Sequence, residues 1–337
     1  MKILTKKQWK NLKDWVKFIL AIGCVVVFVV FFIFNLWSPI KKPVSVVVPS
    51  GASVTRMTNY LYKNNIIKSK ELFYFSIRLN GGKIQAGEYD IPRGAGAWTI
   101  ADMLTHGKIA TTTVMIPEGY TIKQIKMMLM KTPVLVGDVD CSDDLPVCNL
   151  KDGDIFPDTY RIARGTTRLA LLELARKKMI EIKQSLNGFP YPEPLKDWNE
   201  VVTLASIVQK ETPRAKEMPV VASVYFNRLR QGMRLQADPT VVYALTEGLG
   251  DMQGEALLSG HLRTESPYNT YMNKGLPPAP IANVGRDAIR SVLKPANTKY
   301  LFFVADGKGG HKFSKTYEEH KKHHANWREI KQKLSGQ

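Results

Sequence analysis

The chain has 337 residues and 44% of them are hydrophobic, which suffices for more than one domain with its own core. Its formal net charge is +18, yet the sequence has no basic recognition helix, zinc-finger spacing or basic-aromatic ribonucleoprotein pattern. We therefore expect no nucleic acid as a partner. Anionic lipid head groups and a carboxylate-bearing polymer both suit the charge, and a merely soluble basic surface is the alternative.

Residues 18–40 contain no charged side chain and would span about 34 Å as a helix, enough to cross the hydrocarbon core of a bilayer. Six lysines and one aspartate precede this stretch in residues 1–17, whereas only Lys41 and Lys42 follow it directly. The positive-inside rule then keeps residues 1–17 in the cytoplasm and exports everything after residue 42. Because no small-residue cleavage site follows, we predict a single-pass transmembrane helix in the cell (inner) membrane, with a buried core helix as the alternative.

The exported part is predicted to be α+β, beginning with a small module over residues 44–132. Three segments of this module, 46–51, 89–94 and 114–119, share a strand, a Pro-x-Gly corner and the start of a helical pattern. The order of these elements resembles LysM-like glycan-binding domains, although such corners also occur in many unrelated folds. Residues 133–153 are rich in Asp, Pro and Gly and are predicted to be a linker.

Two of the three cysteines, Cys141 and Cys148, lie close together in this linker. In an oxidising compartment they would close a small disulfide loop, and two free thiols are the alternative. A zinc site lacks two further ligands nearby, so we expect no metal here.

Residues 154–337 are predicted to be a mixed α+β catalytic domain. Helical patterns cover residues 169–182 and 220–230, and a strand is predicted over 300–305. Residues 266–285 are too rich in proline for regular structure and too aromatic for disorder, which predicts an ordered loop with a function.

The carboxyl group of Glu211 is the strongest catalytic candidate. Helical periodicity places Glu211 on one face with Val201, Leu204 and Val208, at the end of a helix that Pro213 closes. Apolar neighbours and the negative end of the helix dipole would both raise the pKa of this carboxyl toward that of a general acid. A glutamate that reaches water or pairs with a basic neighbour is the alternative.

The tail of the chain contains four histidines. His311 follows a Gly-rich turn that lacks the spacing of a P-loop, so no nucleotide site is expected. His320, His323 and His324 lie on a predicted helix without a nearby carboxylate ligand, so we interpret them as a solvated helix face rather than a metal site.

Several spaced motifs together resemble the endolytic murein transglycosylase, or YceG-like, family. They are Phe156-Pro-Asp-Thr-Tyr160, Leu204-Ala-Ser-Ile-Val-Gln-Lys-Glu211, Asn227-Arg-Leu, Met233-Arg-Leu-Gln-Ala-Asp-Pro-Thr240, Tyr268-Asn-Thr-Tyr271, Gly275-Leu-Pro-Pro278 and Phe303-Val-Ala-Asp-Gly-Lys-Gly-Gly-His-Lys-Phe313. The resemblance implies a membrane-anchored enzyme that cleaves nascent peptidoglycan glycan strands, with Glu211 as its catalytic residue. Gln209 stands where the family often has another glutamate, so this departure tests the assignment.

The resemblance also implies a reaction that needs one carboxyl group and no cofactor. Protonated Glu211 would donate to the β-1,4 bond between N-acetylmuramic acid (MurNAc) and N-acetylglucosamine (GlcNAc). Its carboxylate would then accept the proton of the muramyl C6 hydroxyl as a 1,6-anhydro ring closes. Peptidoglycan synthases are candidate partners of such an enzyme.

A second carboxylate and a substrate cleft can also be assigned as expectations. Asp238 is the first candidate for the second carboxylate and Asp158 the next, with a helix cap and a turn as the respective alternatives. The resemblance places nine further residues in the cleft, namely Gln236, Tyr268, Asn269, Thr270, Tyr271, Gly275, Pro277, Asn283 and His311. The four residues from Tyr268 to Tyr271 would alternatively hold the loop to the core.

Two other functions compete with this expectation. Ser206 and Lys210 are four residues apart on one helix and could form the nucleophile and base of a hydrolase, although Ser-x-x-Lys and Lys-Thr-Gly motifs are missing. A non-catalytic peptidoglycan-binding scaffold, in which Glu211 is structural, is the second alternative.

Overall fold

A computed structural model of the protein describes residues 6–36, 38–141, 145–186, 188–252 and 254–335. The mixed α+β class is confirmed, because helices and short strands alternate along the chain. The protein forms two compact units. The first unit contains the described residues up to Thr112 together with Ala163–Gly165, and the second contains Thr113–Ile162 and the described residues from Thr166 onward.

The N-terminal helix α1 spans Lys6–Leu36. Among the described residues, no helix combines the length and the hydropathy needed to cross a membrane. The predicted transmembrane segment 18–40 includes Trp37, which lies outside the described residues. The structure therefore does not confirm this segment, and the anchor stays a prediction.

The first unit contains two strands and three further helices. Their bounds are β1, Val44–Val48; α2, Val54–Lys63; α3, Lys70–Leu79; β2, Gly87–Ile91; and α4, Ala97–Thr105. The strands pair antiparallel with Val46 opposite Tyr89, and both of these side chains are buried. Helices α2 and α3 begin at serine caps, because Ser53 and Ser69 accept hydrogen bonds from backbone N–H groups three residues later. The sequence patterns predicted these elements except α3, and the LysM-like resemblance stays a prediction.

Most residues of the next four elements belong to the second unit, and the sequence assigned the first two of these elements to the module and the last two to the catalytic domain. These are β3, Thr111–Met115; α5, Ile122–Met130; β4, Thr159–Ala163; and α6, Arg168–Ser185, with β3 paired to β4. Leu135, Val139 and Val147 are buried in the same cluster as α5 and α6, so the predicted linker contributes to a packed core. Cys141 and Cys148 form a disulfide.

The remaining elements surround a central helix. They are α7, Trp198–Glu211; α8, Met218–Arg230; α9, Asp238–Leu245; a 3-10 turn, His261–Arg263; α10, Arg286–Leu293; β5, Phe302–Ala305; β6, His311–Ser314; and α11, Tyr317–Ser335. All eight residues from Val201 to Val208 in α7 are buried, and α8 and α10 pack against this helix. Apolar and small residues cover every side of this helix, as expected of a helix enclosed by its neighbours. Glu211 is the last residue of this enclosed helix.

Candidate active site

Glu211 lies where α7 leaves the core. Thr212 caps the helix and its N–H donates to the Val208 carbonyl. The side chain of Glu211 is half-buried, and its Oε1 accepts a hydrogen bond of 2.6 Å from the Tyr225 hydroxyl. Tyr225 itself is 1% exposed and comes from α8. A buried donor on a second helix thus holds the carboxyl group in place.

Burial is the main reason why the pKa of Glu211 rises from its ordinary 4.5 to about 7. The negative charge of Asp238 raises this pKa further, whereas the Tyr225 hydrogen bond and the Arg228 guanidinium act in the opposite direction. Near neutral pH the carboxyl group therefore populates both protonation states. A group in that condition can donate a proton and later take one back.

Two cavities are lined by both Glu211 and Asp238. The first has a volume of about 490 Å³ and is also walled by β5, β6 and α11. The second, of about 530 Å³, is also walled by α9 and by residues of the segment from Gly250 to Leu257. Glu211 therefore borders two cavities whose other walls differ.

Asp238 faces this space and does not cap a helix. The cap of α9 is Ala237, which has no side-chain cap bond, so the capping interpretation of Asp238 is wrong. The Asp238 carboxylate instead accepts a 2.6 Å hydrogen bond from the Tyr271 hydroxyl. This bond brings together two residues that lie far apart in sequence, and both line the first cavity.

Gln236 and His311 also line the first cavity. Gln236 has a positive φ of 50°, and its N–H donates to the Thr270 carbonyl. His311 Nδ1 lies 2.9 Å from Glu217 Oε2, and the ring packs edge-on against Phe303. The structure therefore places Glu211 beside four of the expected cleft residues: Gln236, Asp238, Tyr271 and His311.

The other six expected cleft residues do not line these two cavities: Tyr268, Asn269, Thr270, Gly275, Pro277 and Asn283. The Asn269 amide donates to the carbonyls of Leu262 and Thr264. The Asn283 amide donates to the Tyr120 carbonyl and accepts from Gly153 N–H. Because these buried amides are occupied by backbone groups, they fit a scaffold and not direct contact with substrate.

Three further expected cleft residues, Thr270, Tyr268 and Pro277, also pack within the protein. Thr270 Oγ1 lies 2.9 Å from Thr240 Oγ1 in the interior. The Tyr268 ring packs on Tyr243 at 4.8 Å between centroids, and Pro277 is buried. The alternative that this loop is held to the core describes Tyr268, Asn269 and Thr270, whereas Tyr271 faces the cavity.

Gln209 and Asp158 lie outside the two cavities. Gln209 accepts a hydrogen bond from the Gly285 N–H and stabilises the carboxylate of Glu118, whose pKa is raised chiefly by burial. Asp158 is exposed and accepts a bond from the N–H of Thr159, as the turn interpretation expects. The departure from the family pattern at position 209 therefore lies away from the candidate acid.

Sequence reasoning missed several residues of the site. No sequence pattern near Tyr225 and Arg228 of α8 predicts that they belong to the site, because only the packing of two helices brings them to Glu211. The motif Asn227-Arg-Leu was the one available indication. The interpretation of the tail histidines as a solvated face is wrong for His320 and His324, which line the first cavity. The His320 ring stacks on Phe302 at 5.2 Å.

The Ser206 and Lys210 alternative is wrong. The Ser206 hydroxyl is completely buried, donates to the Thr203 carbonyl at 2.7 Å and accepts from the Ile281 N–H at 3.0 Å. The Lys210 ammonium donates to the Gly250 carbonyl. A nucleophile with both hydrogen-bonding directions used inside the core has no access to a substrate.

We expect Ser206→Ala to leave catalytic turnover near that of the unmutated protein. The same change leaves the buried Ile281 N–H without its acceptor, so it should lower the free energy of unfolding by about 1–3 kcal/mol. Urea denaturation and a glycan-cleavage assay on the same preparation measure the two effects. Loss of turnover in a folded Ser206→Ala protein would restore the hydrolase alternative.

Comparison with known proteins identifies similar proteins of one family. A sequence profile of the YceG-like family matches residues 46–326. Endolytic murein transglycosylase of Bacillus subtilis (strain 168) is 31% identical over 320 residues, covering 86% of this chain and 87% of that protein. Endolytic murein transglycosylase of Streptococcus pneumoniae serotype 2 is 27% identical over 79% of this chain, which spans only 55% of that relative. A crystal structure of a YceG-like protein from Listeria monocytogenes is 28% identical, with a TM-score of 0.47, and covers 84% of this chain and 99% of its own.

Proposed function

The chain belongs to the YceG-like family, and from this membership we propose that it is a lytic transglycosylase that cleaves peptidoglycan glycan strands. The Bacillus and Streptococcus relatives bear the name endolytic murein transglycosylase. The observation that carries the proposal is the Glu211 carboxyl, which faces two cavities and whose pKa is raised to about 7 by burial. A structural glutamate has no need of this combination.

The proposed reaction uses Glu211 twice. Its protonated carboxyl donates a proton to the glycosidic oxygen of the MurNAc–GlcNAc bond, and that bond breaks as GlcNAc leaves with the proton. The Glu211 carboxylate then takes the proton of the MurNAc C6 hydroxyl while the C6 oxygen bonds to C1. The products are a shortened strand and a 1,6-anhydro-MurNAc end, no water is consumed, and the acid is regenerated.

Asp238 supports this cycle without exchanging a proton with the sugar. Its carboxylate is engaged by the Tyr271 hydroxyl, and its charge raises the pKa of Glu211. A negative charge near the acid disfavours the ionised form before the first step. It also favours a positively charged, oxocarbenium-like sugar in the transition state.

The endolytic character of the proposed reaction is supported by the shape of the site. A glycosidase that removes terminal units needs room for a chain on only one side of the acid and for the terminal unit on the other, whereas cleavage within a strand needs room for a chain on both sides. The two cavities that share Glu211 and Asp238 have different further walls. These two cavities support binding of a strand on both sides of Glu211.

The proposal includes a location at the cell membrane, with the N-terminus in the cytoplasm and the enzyme domain outside it. Its support is the uncharged segment 18–40 and the excess of lysine before it. The side chains from Val25 to Val29 in α1 are apolar and exposed, a condition that water disfavours. Recovery of the full chain in the cytosol after cell fractionation would refute this location.

The product assay tests the proposed function. Full-length protein incubated with uncrosslinked glycan strands should release fragments with 1,6-anhydro-MurNAc ends in mass spectra. A non-catalytic scaffold would bind the strands and release nothing, and a hydrolase would give reducing ends that incorporate ¹⁸O from labelled water. Either of the last two results would refute a lytic transglycosylase.

We also expect a pH-dependent stability penalty at Glu211. The pKa of the Glu211 carboxyl is about 7 in the folded protein, against an ordinary 4.5. Protonation of this carboxyl therefore contributes fully to the free energy of unfolding below pH 4.5, and the contribution is lost as the pH rises through 7. Glu211→Gln should therefore raise the free energy of unfolding at pH 8 by on the order of 2 kcal/mol and change it much less at pH 4.5. Urea unfolding at both pH values checks this, and equal effects at the two pH values would contradict it.

A further inference from the structure

The helix α11 presents one aromatic face to the catalytic cavity. Tyr317, His320, His324 and Trp327 all line the same cavity as Glu211. Their spacings of three, four and three residues place them on one side of a helix. The family profile ends at residue 326, so this face lies partly beyond the matched region.

This face is held firmly against the rest of the unit. The His320 ring stacks on Phe302 at 5.2 Å between centroids, and Tyr317 lies 5.9 Å from the same ring. Gly307, with a φ of +74°, allows the helix to pack closely, because a Cβ there would lie 2.6 Å from Ile330 Cγ2. A rigid aromatic surface loses little entropy on binding.

The same face remains available to a ligand. Tyr317 is 54% exposed although it lines the cavity. The Lys321 ammonium lies 4.7 Å from the centroid of the Tyr317 ring and adds a hydrogen-bond donor next to it. Burial lowers the pKa of His320, and the neighbouring His324 and Arg228 lower it further, so the His320 imidazole is neutral at neutral pH.

An aromatic surface flanked by hydrogen-bond donors selects a particular class of ligand. Pyranose rings have apolar C–H faces that pack on aromatic rings, and hydroxyl and acetamido groups at their edges that need hydrogen-bond partners. Gln236 and His311, which line the same cavity, carry such polar groups. An anionic lipid or nucleic acid would call for a denser set of exposed cations than this cavity wall contains.

We propose that the aromatic face of α11 (Tyr317, His320, His324 and Trp327) is a saccharide-binding subsite that holds the glycan strand on one side of Glu211. This inference rests on the proposed function for the identity of the sugar. The subsite contacts rings beyond the scissile bond and takes no part in proton transfer. Its loss weakens binding of long strands and leaves the chemical step of bound substrate intact.

The test separates binding from chemistry in full-length protein. In the Glu211→Gln background, Tyr317→Ala combined with His324→Ala should weaken the Kd for uncrosslinked glycan strands, measured by calorimetry, by about tenfold or more. In the active protein the same pair should raise KM with little change in kcat. Tyr317→Phe keeps the ring and should bind like the parent.

The matched control lies on another side of the same helix. Lys322→Ala combined with Glu329→Ala alters two exposed side chains of α11 and should leave the Kd unchanged. Equal Kd values for the Tyr317/His324 pair and its parent would overturn the subsite, even if Glu211 is needed for cleavage. Conversely, a strand-binding protein that needs this face but forms no anhydro ends would refute the proposed function and retain the subsite.

Discussion

Replacing Glu211 by glutamine is expected to lower the rate of strand cleavage by about 10³-fold or more, because the amide can neither donate the first proton nor accept the second. Gln keeps the size of the side chain and remains an acceptor for the Tyr225 hydroxyl, which donates to Oε1. Affinity for glycan strands should therefore be retained. The measurement is the rate at which 1,6-anhydro-MurNAc ends form, compared with the Kd of the same protein.

The control is the same chemical change elsewhere on α7. Glu200 lies in the first turn of α7, and its carboxylate accepts from the Lys196 N–H, away from both cavities. Glu200→Gln should cleave strands at a rate within about twofold of the parent. Similar rates for Glu211→Gln and Glu200→Gln would leave Glu211 without a catalytic role.

The second large effect concerns the pH profile of kcat/KM. Because the first step needs protonated Glu211, activity should fall as the pH rises through about 7. Tyr225→Phe removes a hydrogen bond that favours the carboxylate, so it should move this alkaline limb up by about one pH unit. Asp238→Asn removes a negative charge that disfavours the carboxylate, so it should move the limb down.

The two variants are informative together, because Tyr225→Phe and Asp238→Asn should move the alkaline limb of the pH profile in opposite directions. A purely structural role for either side chain would lower the rate at all pH values without moving the limb. The shift of the limb measures how each residue acts on the Glu211 carboxyl, Tyr225 through its hydrogen bond and Asp238 through its charge. Shifts in the same direction for the two variants would contradict the assigned electrostatics.

The sequence was most informative where the signal is local. The helix around Glu211, the corners before α2, α4 and α5, and the spaced motifs are all patterns within short windows, which helical and strand periodicity can detect. The segment 133–153 was predicted to be a linker, because its apolar residues are interspersed with Asp, Pro and Gly and show no helical or strand period that would reveal the burial of Leu135, Val139 and Val147. Burial of that kind depends on contacts distant in sequence.

The roles of polar residues near the site were equally hard to predict from the sequence. An Asn or Thr in a spaced motif has the same appearance whether it binds substrate or satisfies buried backbone groups, and Asn269, Thr270 and Asn283 do the latter. Asp238 before a proline predicts a cap, yet Tyr271 from a remote loop engages its carboxylate. The aromatic face of α11 was missed because its cavity is formed only when β5 and β6 pack beside it.

A carboxyl titration measures the central claim, the protonation of Glu211, most directly. Protein labelled with ¹³C at the glutamate carboxyl should show a resonance that titrates near pH 7 by NMR. That resonance should be missing from Glu211→Gln and present in Glu200→Gln. A spectrum in which the resonance lost from Glu211→Gln titrates below pH 5 would contradict the account, since the candidate acid would then carry no proton at neutral pH.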